Sequence, residues 1–193
     1  MKKINNKIWD YAILDSDIIQ EMESAKNKDS EFDINWVNID HGCTSFLMFA
    51  IIRNRIELVE YFLEDPNIDV NLRNSICGNT ALHISCYTNN IPIKLLLDHR
   101  DINVNIQNHS GWTALFPACL NNQIKNVREL LLDARVNTLI CDDQGKTARD
   151  IALEWKCPGI ANMIERTGYT FLLRIPNASL CRDIARMIIE EYV

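Results

Sequence analysis

Gly78-Asn-Thr-Ala-Leu-His-Ile-Ser-Cys-Tyr-Thr-Asn-Asn90 is answered 33 residues later by Gly111-Trp-Thr-Ala-Leu-Phe-Pro-Ala-Cys-Leu-Asn-Asn122. Between the two lie Leu95-Leu-Leu-Asp98 and Asp101-Ile-Asn-Val-Asn105. A segment that returns at a fixed period of this size is the mark of a repeat architecture, because one repeat cannot bury its apolar face alone and must stack on the next. The frame extends outward. Gly42-Cys-Thr-Ser-Phe-Leu47 stands 36 residues upstream and Gly145-Lys-Thr-Ala-Arg-Asp-Ile-Ala152 34 downstream, which aligns Thr44, Thr80, Thr113 and Thr147. A second marker, Val37-Asn38, Val70-Asn71 and Val104-Asn105, recurs at steps of 33 and 34 residues.

These residues resemble the ankyrin repeat, strongly over 42–153 and more loosely over 5–168. The resemblance implies an all-α solenoid of about five stacked helix-turn-helix repeats with a C-terminal helix. Residues 1–41 are expected to form a degenerate capping repeat, 42–168 the regular repeats and 169–193 a separate tail. In the first repeat Ile8–Leu14 and Asp17–Met22 read as two short helices, Asp17 favouring the start of the second, with a polar break at 26–30. The second repeat starts its first helix at Thr44, and its second, Ile56–Leu63, stops at Asp65-Pro66. The run Arg73–Cys77 carries one extra residue. Pro92 suits a helix start, whereas Pro117 falls inside a first helix and Leu139 replaces the repeated asparagine. The fifth repeat is expected to end on Gly168 as a C-cap.

Composition narrows the function. Hydrophobic residues make up 47% of the chain, enough for a core. No apolar run reaches the ~18–20 residues of a membrane span, and the basic N-terminus lacks the apolar stretch of a secretory signal, so a cytoplasmic protein without membrane contact is expected. A net charge of −6 without a clustered basic surface argues against nucleic acid. None of the seven cysteines forms a Cys-x-x-Cys pair, and Cys86 and Cys119 share a register position suited to small core residues. No metal spacing, phosphate loop or nucleophile elbow is present, so neither a cofactor nor catalysis is expected. His83 matches the family's bracing histidine rather than a catalytic base.

The resemblance further implies a protein-binding surface on the concave face and loops. By register the contact residues are Asn79, Tyr87, Thr88, Trp112, Leu120 and Asn121 on the first-helix side, with Arg73, Asn74, Gln107, His109, Asp142 and Asp143 on the loops. Tyr87 and Trp112 have the makings of aromatic anchors, although Trp112 also suits packing on a neighbouring loop. Asn38, Asn71 and Asn105 occupy the position hydroxylated in some metazoan relatives, or simply hold their own loops. In the tail, Ile175, Pro176, Leu180, Ile184, Ile188 and Tyr192 resemble the opening of an F-box, Leu-Pro-x-x-Leu-x-x-x-Ile, over about half of a full one. That likeness implies docking on a Skp-type adaptor of a cullin ubiquitin ligase while the repeats hold a target, as in ankyrin proteins of large DNA viruses and some intracellular bacteria. A cytokine-signalling suppressor box fails, because Asn177 stands where leucine is required. The alternative is a helix that only caps the stack of a stand-alone scaffold or inhibitor.

Overall fold

The computed structural model describes residues 14–28, 32–38, 44–89 and 91–174, with side chains to 167. Its helices are α1 (Asp15–Lys28), α2 (Phe46–Ile52), α3 (Ile56–Glu64), α4 (Ala81–Thr88), α5 (Lys94–Leu97), α6 (Leu115–Leu120), α7 (Ile124–Leu132), α8 (Ala148–Glu154) and α9 (Pro158–Arg174). First helices stack in one row, α2 on α4 on α6 on α8, and each contacts its own partner in a second layer, as in α2–α3, α6–α7 and α8–α9. The core runs between the layers, with Phe46, Phe62, Leu82, Ile93 and Phe116 sealed from solvent. Each such side chain contributes roughly 1.5–3 kcal/mol by leaving water.

Local chemistry sets where each first helix begins. Thr80 and Thr147 take the backbone N–H of His83 and Asp150, whose side chains bond back to the cap N–H in a reciprocal capping box. In the second repeat the cap is Ser45, which accepts from Met48, and Thr44-Ser45 form a strand (β2) paired antiparallel with Val37-Asn38 (β1). The helix therefore starts at Phe46, two residues after the expected start at Thr44, and its cap is Ser45. The left-handed residues that end the first helices agree, since Asn54, Asn89, Asn122 and Lys156 each lie nine residues after Ser45, Thr80, Thr113 and Thr147.

Pro117 is accommodated at the start of its helix. It has no N–H to give the Thr113 carbonyl, the bond that Ile84 and Ile151 make to Thr80 and Thr147, so Phe116 supplies it at 3.0 Å in a tighter turn. The α-helix then starts at Leu115, with Pro117 in a first turn where a missing donor costs nothing.

One asparagine per repeat joins successive loops. Asn71 Nδ2 donates to the Asp101 carbonyl at 2.7 Å and its Oδ1 accepts from Asn103 N–H at 2.8 Å, and Asn105 bridges Arg135 and Asn137 in the same way. In the first repeat Asn35 does this, to Asn67 and Asp69. The Val37-Asn38 alignment is corrected accordingly. Ile34 fills the buried place of Val70 and Val104, while Asn38 lies in β1.

Two other expectations change. Residues 1–13 lie outside the described residues, but α1 continues to Lys28 through the expected polar break, with Asp17 inside its first turn. Arg55–Asp15 (2.8 Å) and Lys26–Asp65 (2.7 Å) ion pairs link it to the second repeat. At the other end α9 does not stop at Gly168 but continues to Arg174, the last residue before Ile175-Pro176. A single glycine costs a helix only about 1 kcal/mol, which the packed face of α9 outweighs. Pro92 does open a helical turn, whose α-helical part is only Lys94–Leu97.

Candidate interaction surface

The three complete loops share one internal brace. Asn74 Oδ1 accepts from Cys77 and Asn79 N–H, Asn108 Oδ1 from Ser110 and Trp112, and Asp142 Oδ1 from Gln144 and Lys146. The expected extra residue is absorbed at 75–77, where Gly78 N–H reaches back four residues to Asn74 rather than three as Gly111 does to Asn108. Two side chains on the far side of the loops then tie neighbours together: Asn108 Nδ2 donates to Asn79 Oδ1 (2.8 Å), and Trp112 Nε1 to Asp142 Oδ2 (3.3 Å).

This divides the expected contact residues. Asn74, Asn79, Asp142 and Trp112 have polar atoms engaged inside the protein, and the Trp112 ring also stacks on Phe116 at 5.8 Å. They build the loops. Asn108, which the sequence reading missed, belongs with them; its register with Asn74 and Asp142 is the signal that identifies it. Gln107 donates to the Gly111 and Cys141 carbonyls, and Thr88 to Ile84. Exposed heads remain on Arg73, His109 and Asp143, while Tyr87 (40% exposed) and Asn121 face solvent and Leu120 is half-buried. The tail residues Ile175, Pro176, Leu180, Ile184, Ile188 and Tyr192 lie outside the described residues.

Moving the second-repeat frame to Ser45 reveals a residue that the sequence alignment hid. Ile52, 36% exposed, occupies the position of Tyr87 and Leu120. Three consecutive repeats therefore present an apolar side chain at the same point near the end of the first helix. Asn121 and Gln123 donate to the Tyr87 carbonyl, each at 3.5 Å, and so tie the ends of α4 and α6. Tyr87 is anchored at its backbone while part of its ring meets water, and burial of the rest raises the phenol pKa, with the Cys77 thiol adding to the rise.

His83 is fully engaged. Thr80 N–H donates to Nδ1 at 3.2 Å, which leaves the proton on Nε2 to donate to the Trp112 carbonyl at 2.8 Å. Burial depresses its pKa to about 4, so the ring is neutral at pH 7. Cys86 and Cys119 are sealed in the core, and burial pushes both thiols up, that of Cys119 to about 12. Among the described residues no group of His, Cys, Asp and Glu is arranged to hold a metal ion. A surface depression lies elsewhere, over the second-helix ends of the second and third repeats, between Glu60, Leu63, Leu95, Asp98 and Arg100. Lys94–Asp98 and Arg100–Asp101 pairs satisfy charges in and beside it.

Stacked helix pairs whose loops are joined by one bridging side chain per step define a repeat solenoid, a scaffold that displays side chains rather than enclosing a substrate. The ankyrin repeat model, in three copies, matches residues 47–140. The chain is 31% identical over 146 residues to the ankyrin repeat protein YahD of Escherichia coli K12, which covers 72% of this chain and 70% of that protein. It is 35% identical over 126 residues to an ankyrin repeat protein of fowlpox virus, covering 63% of this chain but only 36% of the viral protein. A human transient receptor potential cation channel, subfamily A member 1, is 34% identical over 122 residues, 10% of the channel. The chain belongs to the ankyrin repeat family, whose repeats are protein–protein interaction modules. Among the described residues no helix is long and apolar enough to cross a membrane.

Proposed function

We propose that this protein binds another protein along the face made by the ends of α2, α4 and α6 and the adjoining loop tips, and that it acts by occupancy rather than catalysis. The observation that carries the reading is the apolar strip of Ile52, Tyr87 and Leu120, one residue per repeat at one register position. A half-buried aromatic with apolar neighbours on a rigid scaffold loses little freedom on binding and excludes water well, which is how interface anchors work. A non-catalytic role is supported by His83, whose two ring nitrogens are committed to Thr80 and Trp112 and leave no site for proton transfer. Service as a ligase adaptor rests on the sequence pattern at 175–192 alone.

The test is capture from a eukaryotic lysate by four immobilised forms: the full chain, Tyr87→Lys, Leu120→Lys, and a truncation after Arg174 that leaves α9 whole. A specific partner retained by the full chain and lost from both lysine variants, with their thermal unfolding unchanged, is the expected result. Retention by both variants rules out this face. Recovery of Skp-type adaptor and cullin by the full chain but not by the truncation is what the adaptor role requires.

A further inference from the structure

The glycines of the first two loops are each roofed by the tip of the next loop, the first by Arg73 of its own loop as well, and the two roofs differ in charge. A Cβ at Gly78 would stand 2.6 Å from Arg73 Nη2 and 2.9 Å from His109 Nε2. One at Gly111 would stand 2.9 Å from Asp143 Oδ1 and 2.8 Å from its backbone nitrogen, whereas Gly145 has open space above it. Glycine, with φ of +72° and +77° at the first two positions, lets these groups settle directly over the backbone.

The first roof holds its guanidinium in place. Arg73 Nε donates to the Gly78 carbonyl at 3.1 Å, His109 N–H donates to the Cys77 carbonyl at 2.8 Å, and its Nδ1 meets the Ile76 carbonyl at 3.2 Å. The imidazole edge then stands beside Arg73 and limits where the guanidinium swings. Among the described residues no carboxylate pairs with Arg73 and no cation with Asp143, while Lys146, also on the third loop, is taken by Glu154 at 2.6 Å. Tyr87 stands near the end of α4, the helix that the first loop leads into.

Resting on the binding face described above, we infer that the loop ridge reads a protein partner by charge order: an acidic side chain on Arg73 and a basic one on Asp143, one repeat step further along, with an apolar residue against Tyr87. The step is about 10 Å, the spacing of packed helices, which an extended peptide covers in about three residues. A fixed arginine suits carboxylate because its planar fork offers paired donors, and its restraint lowers the entropy lost on binding. The opposite order would set like charges together, so the ridge also rejects a partner presented in reverse.

The probe is a random twelve-residue peptide library displayed on phage, selected on the full chain. The expected consensus carries Asp or Glu about three residues from Lys or Arg, with an apolar residue nearby. Arg73→Glu is expected to weaken the selected peptide on the order of tenfold, and exchanging the peptide's acid for Lys to recover most of the loss. Asp143→Lys should be rescued in the same way by exchanging the peptide's base for Glu. If selected peptides lose affinity on Tyr87→Lys but not on either charge reversal, the charge order is wrong while the binding face stands. If they ignore Tyr87→Lys as well, or no peptide is enriched, both readings fall.

Discussion

In the third repeat the residue three places after the threonine is His83, and in the fourth it is Phe116. Both act on Trp112: His83 donates to its carbonyl, and Phe116 stacks beneath its ring with centroids 5.8 Å apart. His83 also completes the cap with Thr80, whereas the fourth-repeat helix starts from Ala114 with no side-chain cap. The His83 contact crosses from the third repeat to the fourth through satisfied buried polar groups, whereas the Phe116 contact is an apolar stack within the fourth. The difference teaches that the frame requires contact at this position without requiring its chemistry, and that only the polar solution makes stability depend on pH.

Substitutions can separate the two. The largest loss should come from Phe116→Ala, since the ring is fully buried; about 3–5 kcal/mol of stability is expected in urea unfolding. His83→Phe copies the fourth repeat into the third, leaves the Thr80 N–H without its acceptor and takes one of two donors from the Trp112 carbonyl, which keeps the Asn108 N–H, at a cost of about 1–3 kcal/mol. A fully stable His83→Phe would show that the two solutions are interchangeable.

The pH test sharpens the contrast. The folded pKa of His83 lies near 4, below the usual 6.5. As pH falls below about 6.5 the unfolded chain takes up a proton that the folded chain refuses. Stability is thus fully present above 6.5, declines towards pH 4 and levels off below it, by on the order of 3 kcal/mol in all. Urea midpoints measured at several pH values should show this decline in the wild type and, after the carboxylate contribution common to both, its absence in His83→Phe.

Smaller effects test the loops. Gly111→Ala should cost more than Gly145→Ala, because both have φ of +77° but only the first is roofed; the unroofed site is expected near 1 kcal/mol. Asn105→Leu should cost about 1–2 kcal/mol through its two lost bonds. The converse, Leu139→Asn, should change stability by less than about 0.5 kcal/mol, because the next unit continues as α9 to Arg174 where a further loop would stand. Thermal unfolding of the four variants measures all of this, and a clear gain from Leu139→Asn would mean that the asparagine ladder has another rung.

The repeat frame was legible because glycine in the left-handed region and a capping hydroxyl are local necessities that repeat with the fold. Two slips came from reading pairs without their chemistry. Val37-Asn38 matches Val70-Asn71 by spacing, but a bridging asparagine also needs an Asp or Asn two residues earlier to take its N–H, as Asp69 does for Asn71 and Asp33 for Asn35. Thr44 and Ser45 both can cap, and only the left-handed Asn54 nine residues on selects Ser45. That one-residue slip concealed Ile52 and hence the apolar strip. The division of loop residues into braces and exposed heads depends on three-dimensional hydrogen bonds within and between loops, which Asn74 and Arg73, adjacent in sequence, do not reveal.

The most direct test of the binding face is amide hydrogen exchange of the full chain, alone and saturated with the partner or selected peptide it retains. Added protection at 52–55, 72–89 and 107–123, with α3 and α7 unchanged outside this face, is the result expected. Protection concentrated on the second helices, around Glu60, Leu95 and Asp98, would contradict the account and move the binding surface to the opposite side of the stack.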